Sequence, residues 1–481
     1  MVQSSRSRFD RLVGLLLPIA FVGSCFLNMY TFVLDGHRHE WFRQGVVLGV
    51  QAAAAICFFI EVCRLFRRQP RLRRPIALTA AIPLIFGVIH LWAILVRPEK
   101  GLLLNTAIVN GAYLVSACCA VVIIAGERRL KAFLLTCRNY ALVLSPVVLY
   151  YCVRFYLPSA EYGVANLGVL NYMPLAYGLL EFCIFLLLRL LLAVWEREKP
   201  AFSWLDFALY TLFSIAITLS GTKGTILCLV WGGFLAVIYS VAVRKGRRAF
   251  VQYAAASLLA VALFSTAFAP SYGVENRVVA FFGELAAPES SELSMEDIEE
   301  TDDIINRLSD SPGGDVDVVE FFRSGKAAEA LASGQITQEE YDALKAMHDK
   351  LMYTATGGRK SLWLKAISEI KTAPVLGQGP YFYQTKYGTY PHNFFLELAT
   401  DFGLPLTLAV AVLGLYVFIR LIRESLHSPL VAVCTFYVLA YLPRMAVGGS
   451  PYHYYLVFQY GLCIVLVYLI KKQFSICQSG V

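Results

Sequence analysis

Charge is scarce in this sequence: Asp, Glu, Lys and Arg make up 16% of the 481 residues, against 58% hydrophobic residues. With a mean hydropathy of +0.59, such a composition excludes a water-soluble globule of this size. Interruptions are scarce as well. The apolar residues come in runs of roughly 17 to 30, too long and too uniform for the alternating strands of a membrane barrel. Cysteine is absent where a soluble domain would use it. All 12 cysteines lie in apolar runs or in the short tail, none lies between 270 and 391, and no CxxC pair occurs. Neither a disulfide framework nor a structural zinc site is indicated.

What is present is an all-α polytopic membrane protein of about 12 transmembrane helices. The apolar runs cover approximately 11–34, 44–63, 75–96, 102–125, 132–156, 164–194, 203–220, 224–243, 249–269, 404–420, 429–444 and 452–470. A basic start followed by an apolar segment ending in "VGSC" at Cys25 also fits a lipoprotein leader. The many apolar runs that follow favour an uncleaved first pass. Basic residues orient the set. Arg6, Arg8, Arg11, the cluster from Arg64 to Arg74, Arg128, Arg129, Lys131, Arg197, Lys199, Arg244 to Arg248, Arg420, Arg423, Lys471 and Lys472 fall in alternate loops. By the positive-inside rule both termini are cytoplasmic and the stretch 270–391 is extracytoplasmic. The formal charge of +8 is then a topology signal and not a nucleic-acid footprint. The expected organisation is N-terminal membrane helices over 1–269, a large, partly helical loop subdomain over 270–391, and C-terminal membrane helices over 392–481 led by a short helix with His392 and Asn393.

Within the loop, "ELAAPESSELSMEDIEETDDII" is acidic and serine-rich. It reads as a solvated segment, since its carboxylates lack the spacing of a calcium loop. Further on, Thr337 and Glu340 form a capping pattern, and Tyr341, Leu344, Met347, His348 and Leu351 recur at helical spacing. An amphipathic helix lying on the membrane domain is expected there. From 357 to 391 come Arg359 in a helix-like segment, the break "LGQGP" and a run of tyrosines. After Pro391, "HNFFLELATDFG" allows a short helix ending at Gly403, with Pro405 in the first turn of the next helix. His392, Phe395 and Ala399 would share one face. Glu397 and Asp401, a like-charged i, i+4 pair, are expected to have basic partners or to face water. Taken alone, His392 reads equally as a helix-start histidine satisfying backbone groups and as a catalytic one. Arg154 and Glu181 lie inside apolar runs, and with Arg189 they are charges that must pair or line a cavity.

"GRKSLWLKAISEIKTAPVLGQGP" followed by "YPHNFFLELATDFGLPLTLA" resembles the signature of the O-antigen ligase and polymerase superfamily: an arginine-led helix, a P-x-x-G-x-G turn, and an HN pair before a glycine-terminated short helix. "LSGTKGTILCL", 219–229, is similar to that family's small-residue turn, with Lys223 in place of the usual arginine. A lysine contacts phosphate as a point charge and not bidentately. The resemblance implies a bacterial inner-membrane glycosyltransferase that needs no metal or other cofactor. It would take a glycan en bloc from undecaprenyl diphosphate to an acceptor sugar, either a growing glycan or lipid A core. Its expected partners are the lipid-linked donor, that acceptor, the lipid bilayer and, for a polymerase, a chain-length regulator. Polymerase and ligase share the signature, and the reading leans slightly to the polymerase.

The residue chemistry is compatible with that implication. His392 is suited to take the acceptor proton, and Arg359 and Lys223 to hold a departing diphosphate, with Arg154, Arg277 and Arg444 behind them. Asn393 would bind a sugar hydroxyl or cap the short helix. The aromatics at 381–383, 387, 390, 394 and 395, with Trp363, suit either sugar stacking or an interfacial belt. Lys223, Arg277 and Arg444 also have a plainer reading as snorkelling or headgroup anchors. The competing class is a lipid-linked glycan flippase. It would be expected to show repeat symmetry with polar sites at mid-membrane, which the sequence lacks.

The orientation is open to a direct measurement. Single cysteines placed in 285–300 of a cysteine-free variant should react with a membrane-impermeant thiol reagent in cells whose outer barrier alone is opened. Labelling only after inner-membrane lysis would reverse the topology.

Overall fold

The computed structural model describes residues 8–35, 40–98, 100–125, 127–155, 172–196, 203–220, 222–243, 246–263, 301, 304, 307, 321, 326–353, 359–387, 389–452 and 461–478. Helices joined by short turns make up these residues, with no strand among them. In chain order they are α1 (Arg8–Leu16), α2 (Ile19–Asp35), α3 (Glu40–Arg68), α4 (Arg73–Val96), α5 (Lys100–Ile124), α6 (Glu127–Phe155), α7 (Tyr172–Glu196), α8 (Trp204–Leu219), α9 (Lys223–Val243) and α10 (Arg247–Leu263). Then come α11 (Lys326–Ala332), α12 (Gln338–Tyr353), α13 (Arg359–Thr372), α14 (Phe382–Tyr387), α15 (Phe394–Phe402), α16 (Leu404–Ser425), α17 (Pro429–Ala440), α18 (Leu442–Val447) and α19 (Cys463–Gln478).

Among the described residues, 8 segments are long and apolar enough to cross a bilayer: Gly45–Arg68, Arg73–Val96, Leu103–Ile124, Arg129–Val153, Leu175–Trp195, Gly224–Ala242, Leu404–Ser425 and Pro429–Ala446. Four of the expected spans do not reach that length there. The first is broken, because Pro18 lacks an N–H and its ring crowds the preceding turn, so α1 ends at Leu16 and α2 begins at Ile19. The run 203–220 is the 16-residue α8. The runs 249–269 and 452–470 are described only to 263 and from 461.

α7 is the axis of the bundle. From Leu175 to Leu192 its side chains are buried except at Tyr177, Gly178 and Arg189, and it packs against α2, α6, α8, α9 and α17. α16, by contrast, buries only Leu421 and Ser425 and presents an apolar surface suited to lipid. The charges inside α7 have partners that proximity in sequence does not reveal. Tyr437 of α17 donates to both carboxylate oxygens of Glu181 at 3.2 Å. Arg189 Nε donates to Asp206 Oδ2 of α8 at 2.9 Å, with Arg138 of α6 3.9 Å from Oδ1. Such pairing is what makes a charge tolerable within an apolar bundle.

The capping pattern at Thr337 forms as expected: Thr337 N donates to Glu340 Oε2 at 2.9 Å and Glu340 N to Thr337 Oγ1 at 3.1 Å. The apolar stripe of α12, among the described residues, packs into a core of the loop itself. Leu344 and Met347 join Ile304, Phe321, Ala327, Ala330 and Ile336 in a small separate core, against which Tyr341 and Leu364 of α13 pack. The apolar stripe finds its partners within the polar stretch itself.

The connection from α13 to α14 folds across the end of α15. Gln378 N donates to Thr400 O at 2.9 Å, Gly379 N to Asp401 O at 2.8 Å, and Leu404 N to Pro374 O at 2.8 Å. Two of the orphan carbonyls that every helix C-terminus leaves are thereby satisfied. The carbonyls of the turn are held in their own right by Arg97, which follows α4: Nη2 reaches Gln378 O at 2.7 Å and Gly379 O at 2.9 Å, and Nε reaches Pro380 O at 2.9 Å. Only glycine permits so close a crossing. A Cβ on Gly377 (φ +70°) would stand 2.4 Å from the Asp401 carbonyl carbon, and one on Gly403 (φ +84°) 2.1 Å from Val375 O. Gly403→Ala should therefore destabilise the protein by about 2 kcal/mol or more, read as a lower melting temperature in detergent. Wild-type melting would show that the crossing tolerates a side chain.

Candidate functional site

Asn393 caps α15 in an extended backbone conformation (φ −144°, ψ 116°), its Oδ1 accepting from Phe395 N and Leu396 N at 3.1 Å each. Of the two roles expected for Asn393, this is the cap. Its Nδ2 also donates to Ala446 O of α18 at 3.2 Å, tying the start of α15 to the short helix that carries Arg444. His392 is thus outside the helix and not on a face shared with Phe395 and Ala399. It adopts the left-handed region (φ +52°), which costs a non-glycine residue of order 1 kcal/mol. Its ring lies 4.1 Å from that of Tyr390. The preceding carbonyl, Pro391 O, accepts from Trp363 Nε1 at 2.8 Å. The backbone at His392 is therefore held on one side by α13 and on the other by the cap.

Packing between elements connects the helices that carry several expected site residues. Arg359 is the first residue of α13, one turn before Trp363, and α13 packs against α15. Lys223 is the first residue of α9, against which α18 packs. The turn ahead of it is made of hydroxyls satisfied locally. Ser220 Oγ donates to Ile217 O at 2.6 Å, and Thr225 Oγ1 donates to Thr222 O at 2.8 Å. Arg444 lies between these elements on α18, 5% exposed, its guanidinium 3.4 Å from the ring centroid of Tyr177 on α7. Burial of a cation against an aromatic face strengthens its field towards any anion that enters. Arg154 occupies the last turn of α6, which packs on α7 and α8, and Arg277 lies outside the described residues.

The aromatic row divides. Tyr381 and Tyr383 are buried and act as internal struts, Tyr383 Oη donating to Leu362 O at 2.7 Å. Phe382, Tyr390, Phe394 and Phe395 stay partly exposed and remain the surfaces able to meet a sugar.

Glu397 and Asp401 depart most from expectation. Both are 0% exposed, and neither forms an ion pair among the described residues. Gln384 Nε2 donates to Glu397 Oε1 at 2.6 Å, while Oε2 has no hydrogen-bond partner. Asp401 accepts from the hydroxyl of Tyr452 and from Tyr383 N at 3.4 Å. Tyr452 in turn accepts from Tyr381 N at 2.9 Å, and the two rings stack at 3.8 Å. Tyr381 Oη lies 2.6 Å from His90 Nε2, and His90 Nδ1 lies 2.9 Å from Phe86 O. Because a carbonyl only accepts, His90 carries its proton on Nδ1 and Tyr381 is the donor to Nε2. Burial raises the pKa of both carboxyls. For Glu397 the charge of Asp401 adds to the rise against the donors Gln384 and Ser450. For Asp401 the rise is opposed by Tyr452, the backbone N–H groups of Tyr383 and Tyr381, and Arg97.

The sequence alone does not single out Arg97, His90, Gln384, Ser450 or Tyr452. The available signal was the small-residue stretch "GGSPYHYY" after an interrupted apolar run.

A family model described as O-antigen ligase matches residues 208–411. No curated protein and no solved structure matches the chain.

The two functions of Asn393 can be separated. Asn393→Ala should cost about 1 kcal/mol through loss of the cap. Asn393→Ser keeps a capping oxygen and loses the tie to Ala446. Thermal unfolding in detergent should rank wild type, Ser and Ala in falling order. Equal unfolding of Ala and wild type would deny the cap any weight.

Proposed function

We propose, for a chain whose residues 208–411 match a family model described as O-antigen ligase, that it is a membrane glycosyltransferase moving a glycan en bloc from undecaprenyl diphosphate to an acceptor sugar, as a polymerase ahead of a ligase. The observation that supports this most is the meeting of α18, which carries Arg444, with the start of α15 and with α9, whose first residue is Lys223. The pinning of His392 beside the α13 that Arg359 opens completes the arrangement.

In this reading the acceptor hydroxyl attacks the anomeric carbon of the donor. The bond from that carbon to the phosphate oxygen breaks, and its electron pair leaves with undecaprenyl diphosphate. His392 takes the proton of the hydroxyl and returns it to water. The diphosphate is a good leaving group and needs charge more than a proton. Arg359, Lys223 and Arg444 supply that charge, with Arg154 and Arg277 as further cations of the same group. Asn393 holds the helix start against α18. The strained backbone of His392 presents its ring at a fixed position, so little ordering is left for the transition state. The polar stretch 270–391 faces away from the cytoplasm, both termini face it, and the membrane is the inner one.

His392→Ala and Arg359→Ala should each lower transfer ~100- to 1000-fold while the protein remains in the membrane. Arg359→Lys should recover part of the rate if the contact is bidentate. Near-normal product from either alanine variant at matched protein level removes that residue from the site. Purified protein given lipid-linked repeat units alone should build a ladder of lipid-linked oligomers. No ladder, with transfer once a core-lipid acceptor is added, makes it a ligase. Movement of the carrier-linked glycan across a sealed bilayer without new linkage would overturn the reading in favour of a transporter.

A further inference from the structure

Glu397 and Asp401 lie on the helix that His392 and Asn393 lead, yet the reaction above uses neither. The Gln384 side chain that donates to Glu397 Oε1 at 2.6 Å also donates to Ser450 Oγ at 3.3 Å. Ser450 Oγ accepts from Tyr452 N at 3.3 Å, and the Tyr452 hydroxyl returns to Asp401. One continuous polar tie therefore joins α14, α15 and the segment that follows α18. In sequence, His392 precedes α15 and Arg444 lies on the α18 that precedes the segment.

We propose that Glu397 is a positioning residue of this site, acting as a neutral carboxylic acid that locks α14, α15 and the 448–452 segment together and so sets His392 against the helix of Arg444. Three observations carry this. First, the carboxyl is fully buried, Gln384 donates to Oε1, the neighbouring Ser450 hydroxyl oxygen is itself engaged as an acceptor from Gln384 and Tyr452 N, and Oε2 has no hydrogen-bond partner. An anion would leave its second oxygen without solvation, whereas a neutral acid places its hydroxyl there. Second, Asp401 stands one turn away in the same interior with its own donors, so a single negative charge on the pair belongs on Asp401. Third, no ion pair to Glu397 forms among the described residues, and the cations nearby have contacts of their own. Arg97 is held by three carbonyls, and Lys386 pairs with Glu369 on α13. Lys365 on α13 lies over the Tyr387 ring and Arg444 on α18 over Tyr177. The other titratable groups around the pair are Tyr381 and Tyr383 beside α14, Tyr452 after α18, and His90 on α4, whose Nε2 accepts from Tyr381.

The direction of the pH effect follows from linkage. A carboxyl that stays protonated in the fold but ionises in the unfolded chain makes the unfolded state release a proton first. Stability is then unaffected at acid pH and falls as pH rises from the ordinary glutamate range towards the folded value. Glutamine keeps the shape and the accepting oxygen and cannot ionise.

The test has two arms on the full chain in lipid nanodiscs. In the first, the melting temperature of Glu397→Gln should match wild type at about pH 4, at or below the ordinary glutamate range, and exceed it at pH 9. A variant that melts below wild type at pH 9 overturns the neutral tie. The second arm rests on the transferase reading. Glu397→Gln should keep transfer and extend it to higher pH, while Glu397→Ala should lower kcat about 10- to 100-fold with KM little changed. Loss of transfer in Glu397→Gln at wild-type stability would make an ionised Glu397 necessary and overturn the proposal. If wild type transfers nothing, the glycosyltransferase reading fails by itself, and the melting arm alone decides whether Glu397 is neutral.

Discussion

The site hangs on how the last carbonyls of α15 are satisfied. That helix is short, its inward face is polar, and it ends where a membrane helix begins. Its terminal carbonyls cannot be left bare beside an apolar span, and the backbone N–H groups of Gln378 and Gly379 meet them. For those donors to arrive, the turn must cross within van der Waals contact of the helix end, which glycines at 377 and 403 allow. Arg97 then neutralises the carbonyl side of the turn. The motif P-x-x-G-x-G is thus a backbone clasp held by hydrogen bonds.

From that clasp the geometry of the other residues follows. α15 is fixed at its end by the turn and at its start by Asn393 and the tie to α18. His392 sits in the one-residue gap between the Trp363 bond and the cap, in a backbone region that an unconstrained histidine would leave. The strain persists because both neighbours are over-determined. Within the bundle, Glu181 with Tyr437 and Arg189 with Asp206 show the same economy, each polar group meeting a partner on another helix.

Local signals were legible in the sequence. Pro and Gly marked the bounds of α15, the Thr337 and Glu340 box started α12, and the apolar runs located the 8 segments able to span. The resemblance to the O-antigen ligase family was legible too, from the order of short motifs, and a family model of that description matches residues 208–411. What could not be read was whatever depends on distant segments meeting. Arg97 and Gln378 are 281 positions apart, and Tyr452 reaches Asp401 across 51. No periodicity carries such information. Glu397 and Asp401 were misjudged for a related reason: i, i+4 carboxylates signal a wet face only when nothing covers it, and here α14 and the 448–452 segment cover it. The apolar stripe of α12 gave the helix correctly but not its partner, since a stripe specifies burial and not against what.

α13 carries two loads on neighbouring residues. Trp363 holds the carbonyl ahead of His392, and Leu364 packs into the small core built from α11 and α12. Successive residues on a helix point about 100° apart, so the helix works as a crankshaft between the two. Any twist that the small core imposes on α13 must reach the histidine, and any shift at the histidine must be felt in the core.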